Sequence, residues 1–186
     1  TIIVDEEITF ENDVDKDDPR SRGIPRFWSP KNYSGRYYGP TRLRLALAKS
    51  RNVVTVKLVD TLGIEKLIQF ARRMGIASDL PRDLTISLGS MSLTPLELTQ
   101  AYGSFANGGV KMDPIGIKYI TNRHGKVIES NEPHGERVMD QETAFLMTTM
   151  LKDVVQRGTG WRAKALGVPT AGKTGTTNDY HDAWFM

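Results

Sequence analysis

Apolar residues recur at helical spacing in several stretches. Leu43, Leu45, Ala46, Leu47 and Ala48 predict a short helix, with Thr41 placed to cap it, running into Lys49-Ser50-Arg51-Asn52. The run from Val53 to Leu62 is rich in β-branched residues, yet its length and the Gly63 stop predict a buried helix rather than a strand. Ile64, Leu67, Ile68, Ala71 and Met74 keep one face of a third helix, closed by Gly75. Thr94-Pro95-Leu96-Glu97 is a helix start, because Thr94 and Glu97 can satisfy each other's backbone N–H groups and Pro95 has none to satisfy. Its buried stripe is Leu98, Ala101, Tyr102, Phe105 and Ala106, and Asn107-Gly108-Gly109 ends it. Asp140 caps a last helix whose apolar residues, from Ala144 and Phe145 to Val154 and Val155, are spread too widely for one stripe. That spread predicts a central helix, ended by Gly158-Thr159-Gly160.

The remaining segments read as strands and loops. Residues 1–40 form an irregular lead-in, in which Ile2-Ile3-Val4 reads as the end of an element and Glu11 to Pro19 as an acidic surface loop. Trp28, Tyr33, Tyr37 and Tyr38 stand near two prolines and are expected to pack on the surface. Residues 78–92 read as loops and turns. Ile115 to Ile120 and Lys126 to Ile128 predict a hairpin about Asn122-Arg123-His124-Gly125. Trp161 to Leu166 is a short turn, Pro169 to Ala171 is extended, and Asp182 to Met186 is the start of a strand partnering the segment before it. Trp161 and Trp184 are expected in the core.

Composition narrows the chemistry. The 186 residues are 39% hydrophobic and 25% charged, enough for one domain with a real core. The net charge of +3 is spread without a basic run, so nucleic-acid binding is not supported. There is no cysteine, and His124, His134 and His181 have no metal-ligand spacing, so neither thiolate nor metal chemistry is expected and no cofactor is implied. His181 reads as a loop residue rather than a base. No apolar run is long enough to cross a bilayer and no signal peptide opens the chain.

The candidate chemistry lies in Gly172-Lys173-Thr174-Gly175-Thr176-Thr177. Lys173 offers a point charge, and Thr174 and Thr176 present two hydroxyls on one face of a strand. Gly175 between them leaves room for a ligand at the backbone. Alone, Lys-Thr-Gly is more often a hairpin turn with an exposed lysine, and Ser50 with Asn52 is more often a helix cap and a turn.

Taken together, the motifs resemble a known family. Ser50-Arg51-Asn52 and Lys173-Thr174-Gly175 are the Ser-x-Asn and Lys-Thr-Gly boxes of penicillin-binding proteins and β-lactamases. Pro30-Lys31-Asn32-Tyr33, Tyr38-Gly39-Pro40, Ser87-Leu88-Gly89-Ser90, Phe105-Ala106-Asn107-Gly108-Gly109, Gly158-Thr159-Gly160 and Asp182-Ala183-Trp184-Phe185 extend the likeness over essentially the whole chain. The chain is similar to the transpeptidase domain of class A penicillin-binding proteins.

The resemblance implies an α/β (α+β) serine transpeptidase fold: an antiparallel sheet flanked by helices, with a largely helical region carrying Ser50 and Asn52. It implies a DD-transpeptidase that transfers D-Ala-D-Ala stem peptides to an amine acceptor in peptidoglycan and is trapped by β-lactam antibiotics. Ser50 would relay protons, Asn52 would hold the donor backbone and the catalytic lysine, and Lys173, Thr174 and Thr176 would bind the donor carboxylate. Gly175 and Thr177 complete the substrate-binding strand, and the Thr176 N–H would be an oxyanion donor.

One element of the family pattern is missing. None of the ten serines has a lysine three residues on. The expectation is a partial domain, truncated at both ends. An upstream segment would carry Ser-x-x-Lys, a downstream strand and helix would complete the sheet, and the parent would be anchored at the extracytoplasmic face of the inner membrane by a transmembrane helix. A non-catalytic β-lactam or D-Ala-D-Ala sensor and a serine β-lactamase are the alternatives, and a Ser-x-x-Lys before Thr1 would favour an enzyme.

Overall fold

The computed structural model of the protein describes residues 1–11, 26–177 and 181–186. The expected acidic loop lies, beyond Glu11, outside the described residues. The described chain divides into two compact units: Thr1–Ile68, Asp79–Ser92 and Met150–Phe185 in the first, and Gln69–Ser78, Leu93–Thr149 and Met186 in the second.

In the first unit the lead-in is partly sheet. Strand β1 (Ile2–Asp5) runs antiparallel to β4 (Gly39–Arg42), with Ile3 opposite Thr41, and β2 (Phe10–Glu11) pairs with β3 (Phe27–Trp28). This pairing overturns the expected cap. Thr41 is buried within β4, its hydroxyl donates to the Gly39 carbonyl at 2.9 Å, and α1 (Leu43–Lys49) begins only after Arg42, with no side-chain cap.

Helix α2 (Asn52–Leu62) buries Val53, Val54, Val56 and Val59. Burying each valine is worth about 1.5–3 kcal/mol, well above the few tenths that a β-branched residue costs a helix. The helix reading of that run therefore holds. Val56 and Val59 meet Ile68 of α3 (Ile64–Arg73) in a core that also takes Leu84 and Ile86. Those two belong to a 3-10 helix, Leu84–Leu88, in the stretch expected to be only loops and turns. Asp83 starts it by accepting the Thr85 N–H at 2.8 Å. Five residues are too few to show a period, which is why the pattern of apolar positions missed it.

In the second unit α3 ends and Gly75 turns the chain at φ 97°. Helix α4 (Pro95–Ala106) has the expected capping box. Glu97 also accepts the Ala77 and Ser78 N–H groups, each at 2.8 Å, and the Ser78 hydroxyl at 2.7 Å. Donation from the Thr94 N–H, then from the Ser78 and Thr94 hydroxyls, holds its carboxyl far below the usual range. The buried face is narrower than expected: Ala101 and Ser104 are buried, while Ala106 is exposed. Strand β5 (Val110–Met112) pairs antiparallel with β8 (Gly135–Arg137). The hairpin of β6 (Tyr119–Thr121) and β7 (Val127–Ser130) forms about Asn122–Gly125 as predicted, with strands shorter than the apolar runs.

Asp140 caps α5 (Gln141–Arg157) through the Thr143 N–H. Leu151, Val154 and Val155 are buried in its last turns, but Phe145 and Leu146 in its first are 66% and 56% exposed. The central character expected of the whole helix therefore holds for its C-terminal part. A 3-10 helix, Trp161–Leu166, follows, and then β9 (Thr174–Thr176), which pairs antiparallel with β10 (Ala183–Phe185) as expected. Trp161 and Trp184 are not core residues: they are 59% and 51% exposed. Trp161 opens a surface turn with the Arg162 guanidinium near its ring, and Trp184 lies on a two-stranded ribbon. Every sheet among the described residues has two antiparallel strands. No described helix is long and apolar enough to cross a membrane.

Candidate active site

The site begins at the end of α1. The Ser50 N–H bonds the Leu47 carbonyl at 3.1 Å and the Arg51 N–H bonds the Ala46 carbonyl at 2.9 Å. This paired closure puts the first of the two donor residues in the left-handed region, where glycine is usual. Here that residue is Ser50, at φ 53° and ψ 52°, the single non-glycine residue with positive φ among the described residues. The Cβ costs roughly 1 kcal/mol there.

The side chain has a partner that glycine would lack. The Lys173 Nζ donates to Ser50 Oγ at 3.0 Å and to the Thr174 carbonyl at 2.8 Å, with Thr174 Oγ1 at 3.5 Å. Residues 123 positions apart are thereby joined. Burial pushes the Lys173 ammonium below the ordinary lysine range. A hydroxyl that accepts from an ammonium keeps its own proton free to donate elsewhere.

The backbone strain and the hydroxyl can be separated by mutation in the complete protein. Ser50→Gly and Ser50→Ala both remove the Lys173 contact, but only glycine relieves the left-handed conformation. The glycine variant is expected to be more stable than the alanine variant by about 1 kcal/mol in denaturant unfolding. Equal stability would mean that the turn carries no strain.

Strand β9 supplies the other half of the site. Gly175 faces open space, since a Cβ added there would meet nothing within 4 Å. The Thr177 N–H bonds the Asp182 carbonyl, so by antiparallel alternation the Thr176 N–H points to the edge of β9 away from β10. Thr177 Oγ1 accepts the Asp182 N–H at 2.9 Å, which fixes the ribbon's open end.

Asn52, the first residue of α2, donates its amide to the Lys31 carbonyl at 2.9 Å. The structure thus puts Ser50 and Lys173 in direct contact, with Asn52 two residues away and tied to the lead-in. Two polar residues behind it went unassigned in the sequence. Asn32 and Asp5 are buried, and the Asn32 amide spans both Asp5 carboxylate oxygens, at 2.9 and 3.0 Å, and the Arg36 carbonyl at 2.8 Å. Asn32 Oδ1 also accepts the Val53 N–H at 3.4 Å. This pair holds the Lys31–Asn32 segment against the start of α2, where Asn52 sits. The sequence signal was present in Pro30-Lys31-Asn32-Tyr33, but nothing in it linked Asn32 to Asp5.

The loop after α5 closes on the Ser50 turn. The Thr159 N–H bonds the Ala48 carbonyl at 3.0 Å, and Lys49 Nζ donates to the Arg157 carbonyl at 2.6 Å. Arg44 and Arg157 share the Asp153 carboxylate, at 2.9 and 2.6 Å. Arg51 lies over the Tyr38 ring, and Tyr33 is 89% exposed, so these aromatics flank the surface rather than fill the core. His181 is exposed, as a loop residue should be. Among the described residues no cluster of His, Cys, Asp and Glu could hold a metal ion.

Comparison with known proteins decides the family. A sequence model described as the penicillin binding protein transpeptidase domain matches residues 2–185. The chain belongs to this family. Penicillin-binding protein 1A of Pseudomonas aeruginosa is 36% identical over 214 residues, covering 87% of this chain and 26% of that protein. The 1A protein of Aquifex aeolicus is 42% identical over 159 residues, covering 86% of this chain and 22% of that protein. The chain therefore spans about a quarter of the length of the curated relatives it matches.

Among solved structures, penicillin-binding protein 1A of Haemophilus influenzae superposes with a TM-score of 0.87 at 28% identity, covering 99% of this chain and 32% of that one. Penicillin-binding protein A of M. tuberculosis, solved as an imipenem acyl-enzyme, shares the fold with a TM-score of 0.75 at 22% identity, covering 85% of this chain and 42% of that one. The α/β transpeptidase fold expected from the motifs is thus the fold of the chain.

Proposed function

We propose that this chain is part of a serine DD-transpeptidase that cross-links peptidoglycan. The observation that carries the reading is the contact of 3.0 Å between Lys173 Nζ and Ser50 Oγ, beside a strand left open at Gly175. In the reaction a serine hydroxyl attacks the carbonyl of a D-Ala-D-Ala stem peptide. D-Ala leaves with the proton, and an amine of a neighbouring strand then displaces the serine. β-Lactams imitate the donor and stop at the acyl-enzyme.

Ser50, held as acceptor by the Lys173 ammonium, passes its proton to the leaving amine while the proton given up by the attacking serine refills it through the catalytic lysine; when the acceptor amine attacks, the same relay runs in reverse and returns a proton to the departing serine. Lys173, Thr174 and Thr176 bind the donor's terminal carboxylate, and the Thr176 N–H, on the free edge of β9, receives the developing oxyanion. Asn52 positions the donor backbone. Gly175 lets the donor lie close to the strand, and Thr177 fixes the ribbon behind it. The chemistry needs no cofactor. The parent acts at the extracytoplasmic face of the membrane, where its substrate lies.

The attacking serine belongs to a Ser-x-x-Lys segment outside these 186 residues, because none of the ten serines here has the lysine three residues on that activates it. Intact-mass spectrometry after incubation with penicillin tests both halves of the proposal. The complete protein is expected to gain one penicillin mass, mapped outside this chain, and the pure 186-residue chain none. A complete protein that gains no mass would refute the transpeptidase reading. An adduct on any serine of the pure chain would refute the placing of the nucleophile outside these residues.

A further inference from the structure

Thr159 lies in no motif to which the proposed chemistry gives a role, yet it touches both halves of the site. Its hydroxyl is 2.7 Å from Thr174 Oγ1, and its N–H holds the Ala48 carbonyl two residues before Ser50. Its backbone has no freedom to leave. At Gly158 a Cβ would overlap the Ala48 carbonyl oxygen, and the Gly160 N–H bonds the Val154 carbonyl at 3.0 Å. One residue therefore couples the Ser50 turn to the first threonine of β9.

Two hydroxyls at this separation share one proton, and its direction matters. If Thr174 donates to Thr159, Thr174 turns only lone pairs toward an incoming carboxylate. If Thr159 donates to Thr174, the Thr174 proton is free for the anion, and the chain of bonds polarises in the favourable sense. We infer that Thr159 is a positioning residue for anion recognition: its hydroxyl donates to Thr174 Oγ1 and thereby sets Thr174 as a donor to the carboxylate of the acyl donor. This inference rests on the transpeptidase reading and adds to it a residue outside the carboxylate-binding strand.

The test uses the complete protein and two probes, penicillin G and its methyl ester, which differ in the anionic carboxylate. Thr159→Val keeps the shape and removes the hydroxyl, and Thr159→Ser restores it. The valine variant is expected to acylate with penicillin G about tenfold more slowly, a typical effect for a bond to a charged group. With the ester its rate should fall less than about twofold, since no anion needs the Thr174 proton. The serine variant is expected to recover most of the penicillin rate. Adding Thr159→Val to Thr174→Val should cost nothing further, because Thr159 acts through that hydroxyl.

A valine variant with the parental penicillin rate overturns the inference. So does one that loses acid and ester rates equally, as a merely loosened fold would, and so does full additivity with Thr174→Val. A parent that no penicillin acylates overturns the transpeptidase reading itself, which separates the two failures.

Discussion

Lys173→Ala in the complete protein is expected to slow acylation by penicillin roughly a hundredfold, on the order of 2–3 kcal/mol for hydrogen bonds to a charged group in a partly dry site. The ammonium bonds both Ser50 and the Thr174 carbonyl, and in the proposed reaction it offers its charge to the donor carboxylate. Folding should change little, because removing a desolvated charge offsets the loss of its bonds.

The pH dependence carries a sign that separates the two effects. Burial lowers the Lys173 pKa in the folded protein. The unfolded chain therefore binds this proton more tightly, and its contribution to stability rises as pH climbs through the window just below the ordinary lysine value. Acylation moves the other way across that window, since neutral Lys173 no longer attracts the carboxylate. The alanine variant should lose this alkaline limb of the labelling rate. Equal labelling rates in variant and parent would refute the role of Lys173.

Gly158→Ala is expected to be the most damaging single change to the fold near the site. The φ of Gly158 is not in the left-handed region, so space rather than torsion demands the glycine. A Cβ there would overlap the Ala48 carbonyl oxygen and lie 2.8 Å from both the Ala48 carbonyl carbon and the Val154 oxygen. These are backbone atoms of α1 and α5 and cannot rotate aside. Overpacking commonly costs 1–3 kcal/mol, and with backbone on both sides the loss should reach about 3 kcal/mol. Because the same loop fixes the turn that carries Ser50, acylation should fall with it. Gly175→Ala is the control: its Cβ meets nothing, so it should melt like the parent while crowding the ligand face. A Gly158→Ala protein with the parental melting temperature would show that α1 and the loop are not in fixed contact.

Much of this was legible in the residues. The capping box at Thr94 and Glu97, the helix through four buried valines, and the pairing of β9 with β10 all follow from local chemistry. Where local chemistry met a long-range partner, it failed. Thr41 looks like a cap until Ile3 pairs with it across the lead-in, and Leu84 and Ile86 look like loop residues until α2 provides their core. Trp161 and Trp184 are large apolar side chains expected in the core, yet both are more than half exposed in the described structure. At the site, the motifs located Ser50 and Lys173 but carried no distance between them. They also gave no hint that Ser50 occupies a glycine conformation, that Asp5 and Asn32 brace the neighbouring loop, or that Thr159 meets Thr174.

The role proposed for Ser50 is to act on the reaction through the Lys173 contact rather than merely to shape the pocket. Stopped-flow acylation of the complete Ser50→Ala protein by a chromogenic cephalosporin separates the dissociation constant of the initial complex from the acylation rate constant. A relay acts in the transition state. The rate constant is expected to fall at least tenfold with initial binding nearly unchanged. Weakened binding with an unchanged rate constant would contradict it.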